Sequence, residues 1–272
     1  MTATSVLIAQ ISDAHVGTGP DFLGGRMDTE AALRRAVAHL VALDPTPDLV
    51  LFTGDLCEHG RAGEYAVVAD ALAPLGMPVY AIPGNHDEPS LAREALARCM
   101  PLAADAPRRR CCYHVQHGGL HLVALDTVVP RCSHGVLDAD QLAWLRRTLA
   151  ACRGEPVLLF MHHPPLPTGL AAMDACSLLA GGEALEALVR AHGAVQGLLC
   201  GHLHRPVQMS FGGAPLHVAP SVAHQIALDL RPDAPLRARL EPPKVSLHRW
   251  VPGRGLCTHL SYVEPLGEAL AL

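Results

Sequence analysis

Two residue types are nearly missing from this 272-residue chain: it has one asparagine, Asn85, and one lysine, Lys244, against 20 arginines. An Asn retained against that drift, inside "PGNHDEP" (83–89), marks a position where a neutral amide has a task. No stretch of about 18 uncharged apolar residues occurs, which excludes a helical membrane span. The start, "MTATSVLIAQISD", lacks the basic segment and small-residue cleavage site of a secretory signal, so a cytoplasmic protein is expected. The nine cysteines contain no C-x-x-C pair, which argues against a zinc ribbon or a disulfide framework, and most read as small buried hydrophobes. Basic charge is also short. A net charge of -5 makes nucleic acid a poor partner, and "PRRRCC" (107–112), the one basic cluster, reads as a solvated loop. Neither an internal repeat nor a low-complexity segment is present.

Apolar residues, at 50%, are enough to bury a real core, and histidine, at 17 residues, is in excess. Five short apolar runs end in polar residues: "SVLIAQISDAH", "DLVLFTGD", "PVYAIPGNHD", "PVLLFMHHP" and "VQGLLCGHLH". Such runs, bounded by Gly or Pro, read as strands buried on both faces. Helical patterns lie between them at 28–43 (with Asp28 as N-cap), 64–75, 138–151 and 183–192. Alternating strands and helices predict a layered α/β core. Residues 112–126 predict a hairpin turning at Gly118-Gly119, and two further hairpins are expected after about residue 205, with Pro-rich 230–243 as a loop between them.

In a layered α/β sheet, sites form at the carboxyl ends of strands, and all five runs carry their polar residues there. The fold would therefore gather Asp13, His15, Asp55, Asn85, His86, His162, His163, His202 and His204 into one crevice. Carboxylate, imidazole and amide oxygen together suit borderline divalent metals. Seven donors are too many for one ion, whereas two ions sharing the Asp55 carboxylate would each have four. The Asn oxygen ligates without adding negative charge, which keeps such a pair electrophilic toward a phosphate.

The same residues carry a resemblance. "DAH" (13–15), "GD" (54–55), "GNHD" (84–87), "HH" (162–163) and "GHLH" (201–204) resemble, in order, the five motifs of the calcineurin-like metallophosphoesterases, over residues 8–206. "MHHPPLP" (161–167), "LAWL" (142–145) and "SVAHQ" (221–225) are similar to the branch of bacterial glycerophosphodiesterases and class III cyclic nucleotide phosphodiesterases. The resemblance implies an αββα-type sandwich with a C-terminal β-hairpin extension: a catalytic core over 1–206, and strands over 207–272 that complete the sheet and form a dimer or cap element. It places Asp13, His15 and His204 on one metal and Asn85, His162 and His202 on the other, with Asp55 bridging. It makes His86 the acid or charge stabiliser, and Asn85 and His224 contacts to substrate.

The expected function is hydrolysis of a small phosphodiester, of cyclic nucleotide or glycerophosphodiester type, by a hydroxide bridging two metal ions (iron, manganese, zinc or cobalt) in a cytoplasmic homodimer or higher homo-oligomer. The alternatives are a phosphomonoesterase or phosphonate monoester hydrolase on the same site, or a scaffold that has lost catalysis. His163 either supports its neighbour, the favoured reading, or lines the pocket; Asp87 is either a plain loop acid or a contact that orients His86; and His59 stays open. His39, His114, His117, His121, His192, His248 and His259 read as surface or packing residues.

Overall fold

The chain is described here from a computed structural model covering residues 4–264 other than Thr18, Pro20 and Asp21. In chain order its elements are β1 (Val6–Ile11), α1 (Thr29–Ala42), β2 (Leu49–Thr53), α2 (Ala62–Leu72), β3 (Val79–Ile82), α3 (Pro89–Ala95), β4 (Tyr113–His117), β5 (Leu120–Leu125), β6 (Gly135–Val136), α4 (Ala139–Ala151) and β7 (Val157–Met161). They continue with α5 (Ala171–Asp174), β8 (Leu178–Ala180), α6 (Gly182–His192), β9 (Val195–Cys200), β10 (Val207–Phe211), β11 (Ala214–Val218), β12 (Gln225–Ile226), β13 (Ala238–Arg239), β14 (Lys244–Val251) and β15 (Gly255–Tyr262). No helix among the described residues is long and apolar enough to cross a membrane.

Two sheets carry the fold. One has the order β15-β14-β1-β2-β3 and the other β10-β11-β9-β7-β5-β4. Within them β1, β2 and β3 run parallel, as do β5, β7, β9 and β11, so the carboxyl ends of the site-bearing strands in each sheet share an edge. The strands after residue 206 extend both sheets: β14 pairs antiparallel with β1, and β11 lies beside β9.

Side-chain alternation shows why the sheets stack. On β5, β7 and β9, Leu122, Ala124, Leu158, Phe160 and Leu199 pack toward the first sheet, in a core with residues of β1, β2, α1 and α2. Their neighbours Val123, Leu125, Leu159, Met161, Leu198 and Cys200 pack in a second core with Trp144, Leu145 and Leu149 of α4 and Leu185 and Val189 of α6. The period of two puts alternate residues on opposite faces, and both faces are covered by apolar neighbours. The layers are therefore helix, sheet, sheet, helix.

A polar tie crosses between the sheets. The Gln10 side-chain amide on β1 donates to the Cys200 carbonyl of β9 at 2.9 Å and to Thr53 Oγ1 at 2.9 Å. Its Oε1 meets His248 Nε2 of β14 at 2.9 Å, while His248 Nδ1 lies 2.8 Å from Thr258 Oγ1. His248 is fully buried. Each polar atom is paired, which is what makes such burial tolerable.

Several local boundaries differ from the sequence reading. Helix α2 begins before residue 64, because Glu64 is its third residue and reaches back to the Arg61 amide at 3.1 Å. It ends at Leu72, two residues ahead of Pro74. Helix α3 was not anticipated; with seven residues it is too short to show a period, although Glu88 caps it and Pro89 starts it. The 230–243 stretch is not entirely loop, since Ala238–Arg239 pairs with Gln225–Ile226.

Candidate metal centre

The predicted donors sit one to four residues past the strands that carry them. Asp13 follows β1, Asp55 follows β2, Asn85 follows β3, His162 follows β7 and His202 follows β9. At these points the chain leaves its strand sharply. Asp13, His15, Asp55, His202 and His204 all have φ between 48° and 73°, and they make up five of the eight non-glycine residues with positive φ among those described. Such a conformation costs each residue of order 1–3 kcal/mol, and residues held this way concentrate at sites where the strain serves a purpose. Here it turns alternate side chains of D-x-H and H-x-H into one volume.

Adjacent backbone holds the turns together. The amides of Asp13 and His15 donate to the carbonyls of Gly54 and Asp55 at 3.0 Å each. The His202 amide donates to the Asp13 carboxylate at 3.1 Å. Asp87 accepts from the amides of Leu56, Cys57 and Gly84 at 3.0, 3.1 and 2.8 Å and from the Tyr65 hydroxyl at 3.1 Å. It therefore fastens the loop carrying Asp55 to the loop carrying Asn85, and of the two roles left open for it neither a plain loop acid nor an orienter of the His86 ring describes it. Two motif glycines are explained by close approach: a Cβ on Gly84 would collide with the Asp55 carboxylate, and one on Gly54 with the His162 ring.

The side chains converge on one oxygen. Asp55 Oδ1 accepts the His86 amide at 2.9 Å, and Oδ2 faces inward, 3.5 Å from His15 Nε2 and 3.4 Å from His162 Nε2. On one side of it, His204 Nε2 lies 3.0 Å from His15 Nε2 and 3.5 Å from Asp13 Oδ1. On the other, Asn85 Oδ1 lies 3.2 Å from His162 Nε2, and the His202 ring centroid is 5.2 Å from that of His162. Asp13, His15, Asp55 and His204 offer donor atoms all within 4.8 Å of one another, as do His162, His163 and His202.

Three of the imidazoles are fixed from behind. His15 Nδ1 meets Glu58 Oε2 at 2.7 Å, His162 Nδ1 meets the Thr53 carbonyl at 2.8 Å, and His204 Nδ1 meets the His224 carbonyl at 2.8 Å. An acceptor at Nδ1 places the ring proton there and leaves the Nε2 lone pair pointing inward, as metal-binding histidines require. The electrostatics match. Burial opposes charge on both members of the pair, yet the Asp55 carboxylate lifts His162 to about 9, while His162 in turn holds Asp55 well below the usual carboxylate range. Burial pushes Asp13 up to about 6 and, with His15 alongside, His204 down to about 3. A concentration of buried, opposed charge of this kind is what a cation relieves. The donor set thus fits a dimetal site.

The remaining site predictions divide. The side chain of His86 is 37% exposed at the mouth, with Nδ1 3.0 Å from the Glu58 carbonyl and its ring 4.7 Å from that of His15. His163 is fully buried between Thr127 Oγ1 (2.7 Å) and the Ser133 carbonyl (3.2 Å), against the rings of His162 and His202. His224 packs its ring 4.6 Å from His204, and its buried Nδ1 has no hydrogen-bond partner among the described residues. His59 is outside the centre, paired with Glu64 at 2.9 Å at the start of α2. A cavity of about 230 Å³ opens over the donors, lined by Phe22, Glu58, Cys176, His224, Ile226 and Leu236 as well as by His15, Asp55, Asn85, His86, His202 and His204. Sequence reasoning missed Glu58, three residues after Asp55, and Cys176, whose Sγ lies 3.5 Å from His202 Nε2.

Comparison with known proteins identifies the family. The model of the calcineurin-like phosphoesterase family matches residues 6–206. A probable glycerophosphodiester phosphodiesterase, GpdQ, of Arcobacter nitrofigilis is 33% identical over 258 residues, which is 95% of this chain and 93% of that protein. The 3',5'-cyclic adenosine monophosphate phosphodiesterase CpdA of Pseudomonas aeruginosa is 33% identical over 228 residues, 83% of this chain and 79% of its own. Among solved structures, a dimetal phosphatase from Danio rerio superposes with a TM-score of 0.67 at 16% identity, covering 95% of this chain and 99% of the other. With the five motifs at five strand ends and a family match across three quarters of its length, the chain belongs to the calcineurin-like phosphoesterases.

Proposed function

We propose that this protein is a metal-dependent phosphodiesterase acting on small phosphodiesters, with Asp13, His15, Asp55 and His204 holding one cation and Asp55, Asn85, His162 and His202 the other. The observation that carries this reading is Asp55 Oδ2, which faces the Nε2 atoms of His15 and His162 with the other donors arranged on either side. When bound, such a pair supplies Lewis acidity to the phosphoryl oxygens and acidifies the attacking water. The set accepts iron, manganese, zinc or cobalt, so availability decides which is held.

The protein's own groups account for the rest. His86, at the mouth with Nδ1 against Glu58, is placed to give a proton to the departing alkoxide from Nε2. The amide of Asn85 and the ring of His224 line the cavity and would offer the substrate contacts at its wall. Charge favours a diester over a monoester dianion. No Lys or Arg is among the described residues lining the cavity, and Arg205, the one cation beside a motif, is bound to the Ile226 carbonyl and to Glu241 at 2.7 Å each.

Residues 207–272 would serve as a cap and as a dimer surface: Ile226 and Leu236 border the cavity, and Leu228, Leu230, Leu236 and Leu240 are exposed along the same excursion. Nine unpaired thiols fit a reducing compartment, and we place the protein in the cytosol. The test is a rate panel on manganese-loaded protein with a bis-aryl phosphate, a mono-aryl phosphate, a glycerophosphodiester, a cyclic nucleotide and a phosphonate monoester. Diester turnover at least tenfold above the mono-aryl phosphate is expected; faster monoester turnover, or none with any metal, overturns the reading.

A further inference from the structure

A second group of ligating side chains lies away from the Asp55 centre, where the β4–β5 hairpin meets the end of α4. His114 on β4 and His121 on β5 share a face of the hairpin, since His121 stands opposite Gln116 and His114 is two residues before Gln116 on the same strand. Cys152 is the C-cap of α4. His114 Nε2 lies 2.8 Å from His121 Nδ1, and Cys152 Sγ lies 3.4 Å from His121 Nδ1 and 3.8 Å from His114 Nε2. Cys152 is 2% exposed and His121 7%, while His114 is half-buried, so the group is sheltered but reachable.

These separations, which are also hydrogen-bonding distances, are close to those of a coordination shell. Zinc bonds of about 2.0–2.1 Å to nitrogen and about 2.3 Å to sulfur at the tetrahedral angle give edges of roughly 3.3 Å for N···N and roughly 3.6 Å for N···S. The observed triangle departs from that by no more than about half an ångström on any side. The orientation is also correct. His121 Nε2 is 2.9 Å from Glu155 Oε2, so the carboxylate fixes the proton on Nε2 and leaves the Nδ1 lone pair facing His114 and Cys152.

We propose that His114 Nε2, His121 Nδ1 and Cys152 Sγ form a mononuclear site for a zinc-class cation, with solvent in the fourth position, distinct from the dimetal centre. One thiolate with two imidazoles selects a borderline-soft divalent ion, unlike the oxygen-richer Asp55 centre. Binding releases one proton, from the Cys152 thiol to solvent, and moves the His114 proton to Nδ1. The ion cross-links the edge hairpin of the second sheet to the C-terminus of α4, and its part is structural.

The test uses the full-length protein preloaded with manganese and titrated with cobalt. A thiolate-to-cobalt charge-transfer band should appear in the wild type and in Cys176→Ser, whose thiol lines the cavity over the Asp55 centre, and be absent in Cys152→Ser. His114→Ala, at a half-buried position, should weaken the band's cobalt dependence at least tenfold, and it serves as the second variant if Cys152→Ser does not fold. In a parallel zinc titration at micromolar free metal, the wild type should hold one equivalent more than either variant and melt at a higher temperature with zinc than without. A missing band, a band unchanged in Cys152→Ser and His114→Ala, a band lost in Cys176→Ser, or zinc taken up only at millimolar concentration overturns the proposal.

Discussion

Removing the charge behind His15 tests whether the ring is held as a ligand. Glu58 Oε2 lies 2.7 Å from His15 Nδ1, its side chain is 24% exposed and His15 is 5% exposed, so the contact is largely shielded from solvent. Glu58→Gln keeps an oxygen for the Nδ1 proton and removes the negative charge; Glu58→Ala removes both. Losing such a supporting partner typically costs 10–100-fold in metal affinity. About tenfold, or roughly 1.4 kcal/mol, is expected for the Gln variant, and about 100-fold, roughly 2.7 kcal/mol, for the Ala variant. Because Glu58 backs His15 and no residue of the Asn85–His162–His202 group, only one of two manganese equivalents should weaken. Calorimetric titration, paired with metal analysis after dialysis, resolves the two events. Unchanged affinity for both ions in both variants, with an intact fold, would refute the assignment of His15 as a ligand; weakening of the other ion would show that the partition of donors is wrong.

Three further outcomes follow from the same geometry. Asp55→Ala should leave the protein unable to retain a metal pair after dialysis, and two tightly held ions in that variant would disprove the bridge. His86→Ala should slow alkyl diesters, whose leaving groups need a proton, by 10- to 100-fold more than aryl diesters, and equal losses would remove its role as the acid. Burial in the cross-sheet tie lowers His248 from 6.5 to about 3, so the unfolded chain takes up a proton that the folded chain refuses. Stability from this residue is whole above about pH 6.5 and falls as the pH drops toward 3, by up to roughly 5 kcal/mol. Urea unfolding at stepped pH should show a shallower acid loss for His248→Gln than for the wild type, and identical slopes would exclude the effect.

What the sequence made legible was whatever one segment could state alone. Each strand is an apolar run with its donors at one end, so five strands and seven donors could be named before their contacts were known, and the rarity of Asn singled out Asn85. Glu58 could not be found this way: it is an ordinary acid in a loop, and its meaning comes only from the 2.7 Å contact to a ring 43 residues earlier. Asp87 and His59 could not be assigned for a related reason. Both lie beside motif residues, yet one bonds three backbone amides and the other a helix-starting Glu. The pairing of β14 with β1 also lacked a local signal, because Gln10 and Ser246 meet across nearly the whole chain. Segments of two to four residues, such as β6, β8 and α5, are shorter than any period that could announce them.

Asp55 uses its two oxygens in different directions: Oδ2 looks toward the donors, while Oδ1 holds the backbone that presents His86. In the proposed reaction one carboxylate would therefore set the distance between the bound metals and His86. An ion that displaced this carboxylate would carry His86 along with it, so exchanging one metal for another should alter the speed of the proposed reaction while preserving its alignment.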